Sequence, residues 1–337
     1  MERKINIAII GIGYWGPNLI RNFSLLGDCR VKYACDLNAA RLEALARQYP
    51  GIITTTHLQD LLADSELDAV AIATPVFSHF NLARQALDAG KHVLMEKPMA
   101  ATVRECEELR LLAARRNLLL MVDHTFLYTG AVRKIRSLVR AGEIGEPYYF
   151  DSERINLGLI QPDINVLWDL APHDISIMNY IFEGLRPVSV FAIGTMHVSH
   201  KVYEMAHLTV RFDGGVVGHI HASWLSPIKI RKVLIGGSKK MILYDDIDPS
   251  EKVKVYDRGV VVNFAQETPM TPVYRSGDAY IPQLDSEEAL LREARHFIHC
   301  IRGEEQPLVD ASAGLAVVRI LEAADSSMNS RRVIELS

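Results

Sequence analysis

Two residues in the middle of the chain have the types and spacing of a proton-transfer pair. Asp169 and His173 lie four positions apart, and on a helix that spacing places two side chains on one face. A carboxylate there can orient an imidazole, and a neutral imidazole accepts a proton near neutral pH. Pro172, just before the histidine, favours the first turn of a helix. The alternative is that Asp169 caps a helix and His173 is a core histidine.

A lysine in the first third of the chain is the second candidate. Lys97 follows a short apolar run that predicts a strand, and Pro98 comes directly after it. Strand ends on this side of a parallel sheet face the ligand crevice, so the lysine is placed to reach an active site. An ammonium group there can stabilise negative charge that develops on an oxygen. The alternative is an ordinary surface lysine.

Three glycines near the amino terminus have the spacing of a dinucleotide-binding turn. Gly11, Gly13 and Gly16 follow a strand-like run over residues 5–10 and precede a predicted helix, which is the context that such a turn requires. They permit a tight turn, the approach of a pyrophosphate to the backbone, and close packing of helix against strand. The amino terminus of the helix offers free N–H groups to the phosphates.

An acid after the second predicted strand indicates which dinucleotide is bound. Asp36 lies 20 residues after Gly16, where a carboxylate can accept hydrogen bonds from the adenosine ribose. It would repel a 2′-phosphate, and the following Leu37 and Asn38 supply no arginine to hold one. The sequence therefore favours NAD over NADP. The alternative for Asp36 is a helix N-cap.

The elements that must position these residues fall into two regions. Residues 1–123 alternate short apolar runs with amphipathic helices, which predicts a doubly wound parallel sheet. Strand-like alternation then recurs up to Phe264, and helices follow over 286–302 and 311–328. We therefore predict a nucleotide-binding domain over 1–123 and an α+β domain with a mostly antiparallel sheet over 124–337.

Composition narrows the function classes. The chain has 337 residues, a formal net charge of −4 and four scattered cysteines. Its length predicts two domains, and the interspersed charges argue against a nucleic-acid partner. No apolar run approaches the roughly 20 residues needed to cross a bilayer. We expect a cytoplasmic protein with reduced thiols, no membrane association and no metal.

Four motifs in this order resemble the Gfo/Idh/MocA oxidoreductases: GIGYWG, ATP with His79, EKP, and WDLAPHDI. The resemblance covers nearly the whole chain. It implies a Rossmann domain followed by an α/β domain whose large open sheet often forms the oligomer interface, so we expect a homodimer or homotetramer. It also implies hydride transfer between a sugar or cyclitol carbon and a nicotinamide cofactor.

The resemblance implies roles for the three candidate catalytic residues. Oxidation of an alcohol requires that the hydroxyl lose a proton while its carbon sends hydride to the nicotinamide. We assign His173 as general base, Lys97 as the electrostatic partner and possible proton relay, and Asp169 as the residue that orients the imidazole. The sequence leaves open which of Lys97 and His173 is the base.

The remaining site residues follow from the same motifs. The predicted cofactor contacts are Gly11, Gly13, Tyr14, Trp15, Gly16, Asp36, Thr74, Pro75, His79, Glu96 and Lys97. The predicted substrate contacts are Lys97, Phe126, Arg154, Asn156, Trp168, Asp169 and His173. An ion pair with an acid of the sheet is the alternative for Arg154.

The segment over 152–174 and the DHTFLY run resemble the nucleotide-sugar 3-dehydrogenases of this family. We therefore expect NAD-dependent oxidation of the C3 hydroxyl of UDP-N-acetylglucosamine or its uronate, with 2-oxoglutarate as a possible reoxidant of the bound cofactor. The alternatives are a dehydrogenase of a free sugar or cyclitol, an NAD-dependent glycoside hydrolase, and a non-catalytic regulator. The presence of Lys97 and His173 argues against the regulator.

Overall fold

The computed structural model describes residues 3–262 and 272–336. The first part of the chain alternates strands and helices. In chain order these are β1 (Ile5–Ile10), α1 (Gly16–Ser24), β2 (Cys29–Cys35), α2 (Ala39–Gln48), β3 (Ile53–Thr55), α3 (Leu58–Leu62), β4 (Ala69–Ile72), α4 (Val76–Asp88), β5 (His92–Glu96), α5 (Val103–Arg116) and β6 (Leu120–Asp123). A 3-10 turn over Thr125–Tyr128 follows.

The six strands form one parallel sheet in the order β3-β2-β1-β4-β5-β6. The central strands β1 and β4 are buried at nearly every position, as expected for a sheet covered by helices on both faces. The strand order reverses between β1 and β4, and sheets of this kind bind ligands in the crevice at the carboxyl ends of the strands there. The predicted doubly wound sheet is confirmed.

Local sequence signals set the ends of the helices beside this sheet. Asn38 caps α2 by accepting the N–H groups of Ala40 and Arg41. Thr102 caps α5 by accepting the Glu105 N–H at 3.2 Å, and such caps satisfy donors that the first helical turn leaves unpaired.

The rest of the chain is dominated by a second sheet. Its elements are α6 (Gly130–Arg140), β7 (Pro147–Leu157), α7 (Val166–Ile181), β8 (Pro187–Thr195), β9 (Met205–Phe212), β10 (Val217–Ser223), β11 (Leu225–Gly237), β12 (Met241–Asp245), β13 (Val253–Val262), β14 (Pro272–Tyr280), α8 (Ala289–Ile301), α9 (Ala311–Ser330) and β15 (Ile334–Glu335). The strand alternation predicted up to Phe264 reaches Asn263 and Phe264, which lie outside the described residues.

Among the described residues, nine strands form this sheet in the order β14-β13-β12-β11-β7-β10-β9-β8-β15. In this part of the chain β7 pairs with β10 in parallel, and the other neighbours are antiparallel. The apolar core beneath it includes edge-to-face ring contacts of Phe182 with Phe150 at 6.2 Å and with Phe212 at 5.9 Å. The predicted large, mostly antiparallel sheet is confirmed.

The described residues group into two compact units. The first comprises Met1–Tyr128 with Glu287–Arg319, and the second comprises Thr129–Ser286 with Ile320–Ser337. The main division therefore lies close to the predicted boundary at 123, but the segment that contains α8 groups with the first unit. There Phe297 packs edge-to-face on Phe23 of α1 at 6.3 Å. A boundary drawn along the sequence does not register such a return of the chain.

Candidate active site

The glycine turn has the geometry that its spacing predicts. Gly11 has φ +94°, and a Cβ there would lie 2.4 Å from the Ala73 carbonyl oxygen. A Cβ on Gly16 would lie 2.0 Å from the Gly11 oxygen. At Gly13 the nearest atom to an added Cβ is an Arg41 nitrogen at 3.8 Å, so the backbone there faces room for a pyrophosphate. The turn fits a dinucleotide.

The acid at the end of β2 supports this turn directly. The Asp36 carboxylate accepts the Ile12 N–H at 2.6 Å and the Asn38 N–H at 2.8 Å. Arg41 Nη1 lies 3.7 Å from the same carboxylate. Because Asn38 caps α2, Asp36 does not serve as its N-cap. Asp36 therefore places a carboxylate beside the turn, where its spacing from Gly16 predicts the adenosine ribose.

The two aromatic residues of the turn have different environments. The Trp15 indole N–H donates to Asp123 Oδ2 at 2.6 Å, which fastens the turn to the carboxyl end of β6. Tyr14 is 92% exposed. Trp15 therefore links the turn to the end of β6, whereas the exposed ring of Tyr14 is accessible to a cofactor.

His79 connects two segments of the predicted cofactor site. It is fully buried on α4, and its ring nitrogens lie 2.9 Å from the Pro98 oxygen and 2.7 Å from the Thr74 oxygen. Burial lowers the pKa of this histidine. His79 therefore joins the turn after β4, which carries Thr74 and Pro75, to the segment that carries Lys97.

Three acidic side chains of the first unit interact with one another: Glu96, which precedes Lys97 and is half-buried, and the buried Asp123 and Glu293. Burial, followed by the charge of Asp123, raises the pKa of Glu96 and of Glu293 well above the ordinary value. Asp123 accepts hydrogen bonds from Trp15 and from the Thr125 hydroxyl. Both carboxyl oxygens of Glu293 are buried and have no hydrogen-bond partner among the described residues, so its charged form is disfavoured there.

His124 is the further ionisable group near Lys97. Burial, and then the charge of Lys97, lowers its pKa to about 3. The imidazole is therefore neutral at physiological pH. The sequence pointed to Asp123 and His124 only as the first two residues of the DHTFLY run. The sequence did not single out Glu293, because nothing in the pattern of the amphipathic helix α8 distinguishes this glutamate from other residues of the helix.

The carboxyl cluster makes stability depend on pH. The pKa of Glu293 is raised in the folded chain, so its stabilising contribution is present below the ordinary value near 4.5 and is lost as the pH rises. We expect Glu293→Gln, which stays neutral, to raise the free energy of unfolding at pH 8 relative to the parent and to change it little at pH 4. Urea unfolding at several pH values measures this difference.

The exposed Glu43 on α2 offers the matched control, since Glu43→Gln removes a carboxyl group outside the cluster. Its unfolding curves should follow those of the parent at both pH values. Parallel pH profiles for the parent and Glu293→Gln would contradict a protonated Glu293.

The second unit carries the Asp-x-x-x-His pair on α7. Asn165 caps this helix, and Asp169 and His173 occupy one face of it. Trp224 Nε1 donates to Asp169 Oδ2 at 2.9 Å, which fixes the carboxylate.

The expected position of Pro172 is wrong. It lies inside α7 rather than in the first turn, because the helix begins six residues earlier, at Val166. A proline at that position removes one helical N–H donor, and the apolar packing of α7 tolerates the loss.

Arg154 and Trp168 are held by acids of the second unit. Arg154 is 3% exposed and forms a two-bond ion pair with Asp174, at 2.6 and 3.1 Å. This is the ion-pair arrangement that the sequence left as the alternative to substrate binding. Trp168 donates to Asp325 at 2.7 Å. Both side chains are therefore buried and are held by acids of the second unit.

The other predicted substrate residues are accessible. Phe126, in the 3-10 turn of the first unit, and Asn156, near the end of β7, are half-buried. Lys97 is also half-buried and belongs to the first unit, whereas Asp169 and His173 belong to the second. Each unit thus carries its own group of candidate residues.

Residues 3–262 and 272–336 contain no cluster of three or more His, Cys, Asp and Glu side chains that could hold a metal ion. None of the helices in that part of the chain is long and apolar enough to span a membrane.

The sheet order, the glycine turn and the acid at the end of β2 define a dinucleotide-binding oxidoreductase domain in the first unit. Residues 5–124 match the model of the Gfo/Idh/MocA oxidoreductase family, NAD-binding Rossmann fold, and residues 132–243 match that of the family's C-terminal domain. The chain belongs to the Gfo/Idh/MocA family and is an NAD-dependent oxidoreductase of the sugar dehydrogenase type. The predicted family, fold class, cofactor and enzyme class are confirmed.

Individual relatives differ in substrate. A UDP-N-acetylglucosamine 3-dehydrogenase from Acidithiobacillus ferrooxidans is 29% identical, with 94% of each chain covered. A myo-inositol 2-dehydrogenase from Thermotoga maritima is 22% identical, with 98% of each chain covered. Among solved structures, the WlbA dehydrogenase from Bordetella pertussis, in complex with NADH and UDP-GlcNAcA, has a TM-score of 0.84 at 19% identity and covers 100% of this chain and 99% of its own.

Proposed function

We propose that this chain oxidises the C3 hydroxyl of a UDP-linked N-acetylglucosamine-type sugar, either UDP-N-acetylglucosamine or its uronate, with NAD as hydride acceptor. The observation that carries the substrate class is the 29% identity with the UDP-N-acetylglucosamine 3-dehydrogenase over 94% of both chains. The Asp169/His173 pair on α7 and Lys97 after β5 support the reaction.

The catalytic roles proposed for these residues are those that the family resemblance implies. NAD, when bound, supplies the hydride acceptor. His173 accepts the proton of the sugar hydroxyl, and Trp224 holds the carboxylate of Asp169 that orients it. Lys97 stabilises the charge that develops on the oxygen. Burial, and then the charge of Asp123, raises the pKa of the neighbouring Glu96, which favours its neutral form beside Lys97.

A substrate panel tests the proposal. The pure protein is incubated with NAD, with and without 2-oxoglutarate, and with UDP-N-acetylglucosamine, its uronate or myo-inositol. We expect the 3-keto sugar from a UDP-sugar, with NADH formed or, where the cofactor stays bound, with turnover that requires 2-oxoglutarate. Turnover of inositol with neither UDP-sugar oxidised would overturn the proposal.

The main alternative is a dehydrogenase of a free cyclitol, and the 22% identity with the myo-inositol 2-dehydrogenase favours it. The inositol arm of the same panel decides between the two. A glycoside hydrolase would instead release free sugar or nucleotide without net NADH.

We also propose that the protein forms a homodimer or homotetramer through the sheet of the second unit. On β8, Val190 and Ala192 are buried whereas Phe191 and Ile193 are 40% and 58% exposed. This alternation places two apolar side chains on the opposite face of the strand. Light scattering should give a mass of two or four chains, and a monomer would contradict the proposal.

A further inference from the structure

A cleft of about 330 Å³ opens in the second unit between the end of β7 and the beginning of β11. Asn156, Leu157, Pro227, Lys229 and Arg231 line it. The cleft has the volume of a small ligand site. Of its lining residues, the sequence pointed only to Asn156.

An irregularity in strand pairing forms the cleft. β11 pairs regularly with β7 up to Ile230, which lies opposite Ile155, and the register then shifts between Ile230 and Leu225. The intervening segment turns on itself, since the Ser226 hydroxyl donates to the Ile228 oxygen at 2.7 Å. The backbones of β7 and β11 therefore do not pair regularly between Leu225 and Ile230, and the cleft opens where this pairing is lost.

The cleft is positively charged. Lys229 is exposed, with no ion-pair partner among the described residues, and none of the lining residues is acidic. Arg231 Nη1 lies 3.4 Å from Asp246. The charge of Asp246 is shared, however, because Lys252 Nζ lies 3.7 Å from the same carboxylate.

Arg231 has a hydrogen-bond donor that the described residues leave without a partner. Its Nε is buried and has no hydrogen-bond partner in the described part of the chain. A buried donor without a partner destabilises the fold, and a bound acceptor would remove that cost. A guanidinium edge and a lysine together match the oxygen atoms of a phosphate.

Apolar side chains form the rim of the cleft. Leu157, which lines the cleft together with Pro227, is 70% exposed although it is large and hydrophobic. Ile228, between the lining residues Pro227 and Lys229 in the chain, is 67% exposed. Apolar surface next to two cations and an amide suits a ligand that joins a ring system to phosphate groups.

We propose that this cleft binds the diphosphate of a nucleoside diphosphate, so that it recognises the nucleotide portion of the substrate rather than the reacting sugar. The assignment deepens the proposed function and rests on it. The same cations would accept a sugar carboxylate, since both ligands are oxyanions. The diphosphate is favoured because it offers several oxygens to both cations and carries a ring for the apolar rim.

Binding of UDP alone tests the cleft without any need for turnover. Calorimetry with UDP, and separately with glucuronate, would compare the parent with Lys229→Gln and Arg231→Lys. We expect UDP to bind at least 10-fold more weakly to Lys229→Gln. Arg231→Lys, which keeps the charge but removes the Nε donor, should show a smaller loss.

Lys232 provides the matched control. It is the next lysine on β11, is exposed, and lies 3.3 Å from Asp245 outside the cleft lining. Lys232→Gln should bind UDP as the parent does. Equal UDP affinity in the parent and Lys229→Gln, or binding of glucuronate in place of UDP, would overturn the assignment.

The outcome separates the cleft from the proposed function. If the UDP-sugars are oxidised and Lys229→Gln leaves their KM unchanged, the cleft assignment fails while the function stands. If the UDP-sugars are not oxidised but UDP binds in a Lys229-dependent way, the function fails and the nucleotide cleft stands.

Discussion

Replacing Lys97 by methionine is expected to lower kcat/KM for the oxidised sugar by about 100- to 1000-fold, the loss typical when one donor to a developing oxyanion is removed. Methionine keeps the length and apolar stem of the lysine, so the substitution removes little besides the ammonium group. The glycine turn and Asp36 lie on other elements, so NADH affinity, to which Lys97 is one predicted contact among several, should fall much less than kcat/KM. Steady-state kinetics and fluorescence titration with NADH measure the two effects separately.

The exposed Lys4 of the same unit offers a matched control, since Lys4→Met removes an equal charge away from the candidate site. That variant should keep the activity of the parent. Full activity in Lys97→Met would remove the assigned role. A loss of NADH binding equal to the loss of activity would instead make Lys97 a cofactor-binding residue alone.

The first unit could be predicted closely because its signals are local. Gly11 and Gly16 are required by contacts within a few residues or one strand away, and a short motif records such constraints directly. The buried strands β1 and β4 are continuous apolar runs, which only a sheet covered on both faces explains. Asp36 is recognisable because its distance from the turn is set by one βαβ unit.

The remaining features depend on contacts that are distant in the sequence. Glu293 joins Asp123 only because α8 returns to the first unit, and nothing near Glu293 in the chain indicates that return. The partner of Arg154 proved to be Asp174, on the helix that follows its strand. The sequence offered several acids in that region and no means of choosing among them.

The cleft at Arg231 could not be predicted from the sequence, because it also depends on contacts between distant parts of the chain. Alternation predicted the strand, but a shift in register between β7 and β11 depends on how both strands pair. Loss of regular pairing over a few residues leaves no mark in composition or periodicity. The candidate catalytic residues were thus easier to predict than the surface proposed to select the substrate.

We expect the choice between the two nicotinamide cofactors to depend on the charge of Asp36. Its carboxylate accepts the N–H groups of Ile12 and Asn38, so the charge is fixed beside the turn rather than free to swing away. Like charges about 5 Å apart near a protein surface repel by about 3 kcal/mol, a factor of about 100 in affinity. A 2′-phosphate on the adenosine ribose would meet this repulsion, whereas the hydroxyl of NAD can donate to the carboxylate.

Asp36→Asn should therefore shift the ratio of NADPH to NADH affinity by about 100-fold toward NADPH. The amide retains one acceptor for the turn but leaves one of the two N–H groups without its partner, at a cost of about 1 kcal/mol in stability. Asp88→Asn is the control, because it makes the same change at an exposed position of α4. There Asp88 pairs with Arg116 at 3.0 Å. Fluorescence titration with both reduced cofactors gives the ratio without any substrate. If Asp36→Asn weakens both cofactors equally, Asp36 supports the turn without selecting the dinucleotide.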